Sequence, residues 1–296
     1  MTAATSLATA MKRRALPWPA ILLVLGSCSS LQAGAALAMR LFPVAGAPGA
    51  TLLRVGLAAI VLLALTRPKV RGWRRRQWQA VLLYGVSIAG TNAFFYAALA
   101  RLPLGTAVTI QFLGPLTLSA ALSRRMRDLG WVLLAVTGVA ILGLTESHRT
   151  AAGGSLSLTG VAFALASGAF WAAYIITGAR VSATMPGRGG LAVAMSAGTL
   201  VLLPFGALGA ARIAQSPHLI PVAFGMALLA SVVPYSLELA AMRRAPKRVF
   251  GILLSLEPAV ATMAGWLLLG QHASAVALAA VVIVVAASTG SALGSG

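Results

Sequence analysis

Basic residues interrupt this chain at regular intervals, and most of them fall in every second interruption. Between the breaks lie ten apolar stretches, at 17–39, 48–66, 78–100, 103–122, 129–146, 157–178, 190–210, 217–241, 248–270 and 273–292. Each has about the 17–25 residues that a helix needs to cross the hydrocarbon core. Eighteen of the 23 Lys and Arg lie ahead of the first stretch or in the second, fourth, sixth and eighth connections. The odd connections hold Arg40, Arg101, Arg149 and Arg212, and Arg54 alone falls inside a stretch. Basic side chains near the ends of membrane helices stay cytoplasmic. The alternation therefore predicts an all-α membrane protein of ten transmembrane helices with both termini in the cytoplasm.

Composition excludes the soluble alternatives. Hydrophobic residues make up 59% of the 296 and charged residues 9%, a balance no soluble domain of this size carries. A net charge of +19 would suit nucleic acid, but here it is spread over alternate loops instead of one face. The run from Arg67 to Arg76 reads as a contact for anionic membrane lipids, so no nucleic-acid partner is expected. Cys28 is the only cysteine, which excludes an internal disulfide and a cysteine-rich metal site. Lys12-Arg13-Arg14 followed by an apolar run resembles a signal peptide. The apolar pattern continues past Cys28 towards Met39, however, and reads as an uncleaved span.

The ten stretches divide into two sets of five. Pro103 opens the fourth and Pro246 the ninth, 143 residues apart, and Gly114-Pro115 stands at the same offset from Glu257-Pro258. Ala38-Met39-Arg40 aligns with Gly178-Ala179-Arg180 at an offset of 140. The expected organisation is a tail at 1–16, one five-helix repeat at 17–150 and a second at 151–296. An odd number of spans inverts the second repeat, and inverted repeats place a substrate site near the bilayer midplane.

Asp128, Glu146, Glu238 and Glu257 are the only acids. The first two fall at span ends, where water is available. Glu238, Glu257 and Arg54 fall within spans, where an ionisable group costs at least ~2.5 kcal/mol and faces a partner or a wet cavity. One expectation is an Arg54–glutamate pair that ties helices together; the other is a functional site. Pro258 lacks an N–H, so the Leu254 carbonyl loses its helical donor beside Glu257, and Pro115 frees the Gln111 carbonyl in the same way. Asn92, Tyr96, Trp171, Tyr174 and Tyr235 add polar tips on apolar bodies and are expected to line the cavity with Gln111. Tyr84 and Trp18 read as anchors or packing.

Enzymatic chemistry finds no support. His148, His218 and His272 stand at span ends without ligand spacing, and no glycine-rich phosphate loop follows a strand. No catalytic residue, metal or cofactor is expected.

Several stretches together resemble the EamA type of the drug/metabolite transporter superfamily, and within it the bacterial threonine/homoserine exporter branch. They are Leu31 to Ala35, Leu41 to Gly49, Pro103 to Val108, Phe112 to Pro115, Val233 to Glu238 and Leu256 to Ala259. The likeness runs from about residue 17 to 292. Two positions depart from that branch. Gln111 replaces an acid common before the phenylalanine, and Leu269-Gly270-Gln271 replaces a Leu-Gly-Glu ending. The resemblance implies an inner-membrane secondary exporter of small neutral amino acids, driven by inward proton movement. Arg54 would then hold the substrate carboxylate, and Glu257 its ammonium or an exchanged proton. Glu238 would tune or pair with Arg54, while Gln111 and the freed carbonyls select a side-chain hydroxyl. A broader drug or metabolite efflux carrier, an importer of the same architecture, and a non-transporting scaffold or scramblase-like protein remain as alternatives.

Overall fold

One residue folds the first helical run back on itself. In the computed structural model, α1 (Trp18–Thr66) is helical on both sides of Gly46, whose φ of 65° and ψ of 170° a side chain would strain. Pro43 and Pro48 flank that residue inside the run, each removing a backbone donor. Gly34 from the first arm and Arg54 from the second both reach Ala230, so the arms lie side by side. The loop expected at 40–47 is thus a reversal at one glycine, because helix continues to within a residue or two on either side.

The structure describes residues 18–123, 126–148, 157–185, 189–242, 244 and 247–294. The expected tail at 1–16, Arg149 and the boundary between 150 and 151 lie outside them, as do the side chains of Asp128 and Glu146. After α1 come α2 (Arg75–Leu99), α3 (Leu104–Gln111), α4 (Leu113–Ser123), α5 (Met126–His148), α6 (Leu158–Thr184) and α7 (Gly189–Ala214). Then follow α8 (Ile220–Ala227), a π-helical turn at Leu228–Val232, α9 (Val233–Met242), α10 (Lys247–Leu254), α11 (Glu257–Leu269) and α12 (Ala275–Gly294). Seven helical stretches among the described residues are long and apolar enough to cross a membrane, and two shorter apolar helices accompany them. Outward-facing residues such as Leu133, Phe205 and Leu208 stay exposed, as lipid-facing side chains do. The chain is an all-helical multi-pass membrane protein.

Both proline elements interrupt their helices. α3 stops at Gln111, whose carbonyl Pro115 leaves without a helical donor, and α4 resumes at Leu113. α10 stops at Leu254, and α11 begins at Glu257 with Pro258 in its first turn, where a missing N–H costs nothing. On one side of these breaks, α3 and α11 lie together, and Gly105 leaves room for Thr262. There the Gln271 side-chain oxygen accepts the Leu104 N–H at 2.9 Å, capping a helix whose own cap residue, Pro103, has no side-chain acceptor. On the other side, α4 and α10 are separated by a cavity.

Helix crossings rely on glycine. Gly49 meets Gly209 between α1 and α7, Gly85 meets Gly198 between α2 and α7, and Gly114 meets Gly168 between α4 and α6. Apolar burial gives little drive for helix association in lipid, so close backbone approach supplies the contact instead. A Cβ on Gly168 would stand 2.6 Å from the Gln111 carbonyl oxygen, which is backbone and cannot swing away. Gly168→Ala is therefore expected to destabilise the protein by about 1–3 kcal/mol. A lowered thermal-unfolding midpoint in detergent checks this, and an unchanged midpoint contradicts the close packing.

Candidate functional site

The interrupted helices, the π turn and the buried Arg54 meet around a cavity of about 860 Å³. α1 brings Arg54 to it, α2 brings Asn92, and the α3–α4 break brings Gln111 and Pro115. α6 adds Trp171 and Tyr174, α9 adds Tyr235 and Glu238, and α11 adds Glu257 at its first residue. Of the expected site residues, only Tyr96 and Pro258 stand back from the wall. Tyr96 is fully buried with its ring 5.3 Å from the Arg54 guanidinium carbon, and Pro258 is buried beside Glu257.

The expected Arg54–glutamate pair does not form. Arg54 is 6% exposed, and its Nη2 donates to the Ala230 carbonyl at 2.8 Å while Nε donates to the Ser231 hydroxyl at 3.3 Å. Neither Glu238 nor Glu257 lies within ion-pair distance of it among the described residues. Glu238 accepts from the Ser27 hydroxyl at 2.9 Å, and Glu257 has a long contact of 3.5 Å from the Gln32 amide nitrogen. The cavity therefore holds one guanidinium and two carboxylates, each kept in place by neutral groups.

Neutral polar groups occupy the wall between α2 and α6. The Gln111 amide donates to the Ser167 hydroxyl at 2.8 Å, which in turn donates to the Thr91 carbonyl at 2.7 Å. Asn92 donates to the Ile88 carbonyl at 2.7 Å. Aromatic rings complete the lining. Phe112 meets Trp171 edge to face at 5.4 Å, and Tyr84 lies against Tyr174 at 5.0 Å. Tyr84, expected as anchor or packing, packs in a buried cluster with Val81, Ile88 and Val181 and also lines the cavity, because α2 packs along α6 and turns that ring inward. Trp18, at the start of α1, is 68% exposed. His218 lies in a turn at Pro217–Leu219, away from the cavity lining. No group of His, Cys, Asp or Glu among the described residues could hold a metal ion.

Sequence reasoning did not single out Ser27, Gln32, Ser167 or Ser231, the residues that fix the charged and amide groups. Small polar residues are scattered through most spans of this chain, so none stood out. One signal was present: Pro234 stands four residues after Ala230 and withholds the N–H that the carbonyl would otherwise receive.

Membrane-length helices around a cavity with unpaired charges, beside two interrupted helices, define a membrane transporter. The EamA-like transporter family model matches residues 158–293. Threonine/homoserine exporter RhtA of Salmonella typhimurium (strain SL1344) is 40% identical over 284 residues, covering 95% of this chain and 94% of that protein. RhtA of Escherichia coli (strain K12) is 40% identical over 279 residues, covering 93% and 92%. A solved crystal structure shares the fold, with a TM-score of 0.54 at 17% identity over 90% of this chain and 94% of that one. The chain belongs to the EamA-like transporter family. It is a transporter and not an enzyme, as the likeness at Phe112 to Pro115 and Leu256 to Ala259 implied.

Proposed function

We propose that this protein exports small neutral amino acids of the threonine and homoserine type across the inner membrane, with protons as the coupling ion. The observation that carries the reading is the uncompensated charge set of the cavity. A zwitterion needs a cation for its carboxylate and an anion for its ammonium, and Arg54 and Glu238 offer one of each without neutralising each other. Arg54 binds the carboxylate through its free N–H groups by charge-assisted hydrogen bonds. Glu238, half-buried beside Tyr235, takes the ammonium. Glu257, 6% exposed, carries the proton. Gln111 and Asn92 keep their amide oxygens for a substrate hydroxyl. The exporter names of the 40%-identical relatives support the same class of substrate.

The proposed architecture is ten spans in two inverted five-helix repeats with cytoplasmic termini. It is supported by the alternating basic loops, by the two arms of α1, and by helix breaks that follow Gln111 and Leu254 at a spacing of 143 residues. On this reading the basic loops lie in the cytoplasm on the α4–α10 side, and substrate enters there. Importer and exporter share this geometry, because direction follows the gradients. The aromatic lining favours a second reading, a broader efflux carrier for amphipathic solutes. A scaffold has no use for three ionisable groups around a cavity.

Proteoliposomes preloaded with labelled threonine or homoserine test the proposal. Faster loss of label under an imposed proton gradient is expected. Retention of both labels by folded, inserted protein would contradict it, and competition by amphipathic solutes alone would favour the broader carrier.

A further inference from the structure

Arg54 is buried in a membrane-spanning protein, yet both groups that hold it are neutral. A carboxylate in the place of Ala230 or Ser231 would cancel the guanidinium charge before any substrate arrived. Neutral acceptors fix the side chain and leave that charge directed at the cavity.

Several features build these acceptors. Leu228–Val232 is a π-helical turn, a local widening of the helix that often marks functional sites. In the α-helical register that α9 resumes, the donor to Ala230 would stand at position 234, and Pro234 has none. Ser231 is 2% exposed, and its hydroxyl is engaged with Arg54. Thr51, Ser87, Thr109, Thr177 and Thr262 instead donate to the carbonyl four residues back on their own helices. Gly34 lets the first arm of α1 back the turn, since a Cβ there would stand 2.5 Å from the Ala230 nitrogen. The Tyr96 ring lies against the guanidinium as well, 5.3 Å from its carbon.

We propose that Ser231 and Pro234 are positioning residues that hold the Arg54 guanidinium at a set angle for the carboxylate of an amino-acid substrate. The assignment rests on the reading that Arg54 receives that carboxylate. Among the described residues, Nε and one Nη2 hydrogen carry Arg54's hydrogen bonds, so the Nη1 group and the remaining Nη2 hydrogen form the fork left for two carboxylate oxygens. A guanidinium free to rotate would keep its charge and lose that pairing. Carboxylate recognition is then the property these two residues control.

The test uses the full-length protein in proteoliposomes and labelled threonine efflux. Unlabelled threonine and threoninol compete from the same side, threoninol carrying a hydroxymethyl group in place of the carboxylate. In the wild type, threonine competes better than threoninol. Ser231→Ala should raise the half-saturating threonine concentration about tenfold, the size of one hydrogen bond to a charged group. Its maximal rate and its inhibition by threoninol should stay at wild-type values, and Ser231→Thr should restore threonine affinity. Pro234→Ala should shift threonine in the same direction, because it returns the donor that α-helical spacing aims at Ala230. If both variants keep the wild-type preference while Arg54→Gln erases it, the positioning role is overturned and Arg54 stands. If the wild type itself treats threonine and threoninol alike, the carboxylate role of Arg54 fails and the positioning role fails with it.

Discussion

Arg54→Gln is expected to raise the half-saturating concentration for threonine efflux about 100-fold, with the protein still inserted and monodisperse. Hydrogen bonds to a charged group contribute about 1.5–3 kcal/mol, and the upper part of that range corresponds to roughly two powers of ten in affinity. Gln keeps one amide donor group and loses the charge and the planar fork. Lys should not rescue, because an ammonium cannot reach Ala230 and Ser231 together and still present two parallel donors. The structural cost should be modest, since no carboxylate among the described residues lies within ion-pair distance of Arg54. Threonine efflux from proteoliposomes over a range of internal concentrations measures the shift. Saturation of the variant at the wild-type concentration would remove Arg54 from the binding site.

Glu257→Gln is expected to abolish the response to a proton gradient. Glutamine fills the same volume and still accepts from the Gln32 amide, so the neighbourhood of α11 is preserved. What it cannot do is take up and release a proton. Efflux by the variant should run at one rate whether or not a gradient is imposed, with the wild type accelerated several-fold in the same vesicles. Glu257 is the better candidate than Glu238 for this role. It is 6% exposed against the half-buried Glu238, and its one neutral contact, at 3.5 Å, is looser than the 2.9 Å bond from Ser27 to Glu238. Normal gradient acceleration in Glu257→Gln would transfer the proton to another group, and Glu238 would be next.

Much of this arrangement is local and could be read in advance. A proline removes a donor at a known position, so the interruptions after Gln111 and Leu254 follow from Pro115 and Pro258 alone. An arginine and two glutamates within apolar stretches had to face a common interior, whatever their partners. The partners themselves were not legible. Ser231 is 177 residues from Arg54, and Ser27 is 211 from Glu238. Opposite charges suggested an ion pair, and a proline-freed carbonyl with a hydroxyl took the guanidinium instead. The reversal at Gly46 was likewise hidden. Gly46, Pro43 and Pro48 announce a break, but only the φ of 65° tells that one residue accomplishes it. Tyr84 packs in the core as expected and lines the cavity too, because spacing along one helix does not reveal which neighbour receives which face.

The bond from Leu104 to Gln271 would link any opening of the cavity's far side to water itself. Leu104 carries a helix-end donor that its own segment leaves unmet, and a side chain from the other half of the chain supplies the acceptor. Separating α3 from α11 breaks that bond and strands the donor unless a water molecule replaces the amide oxygen. An opening that parted these helices would therefore take up solvent as a reactant and wet the far side. Solutes excluded from the cleft would oppose such a step by osmotic stress, and a transport cycle that used it would have water as a second, colourless ligand.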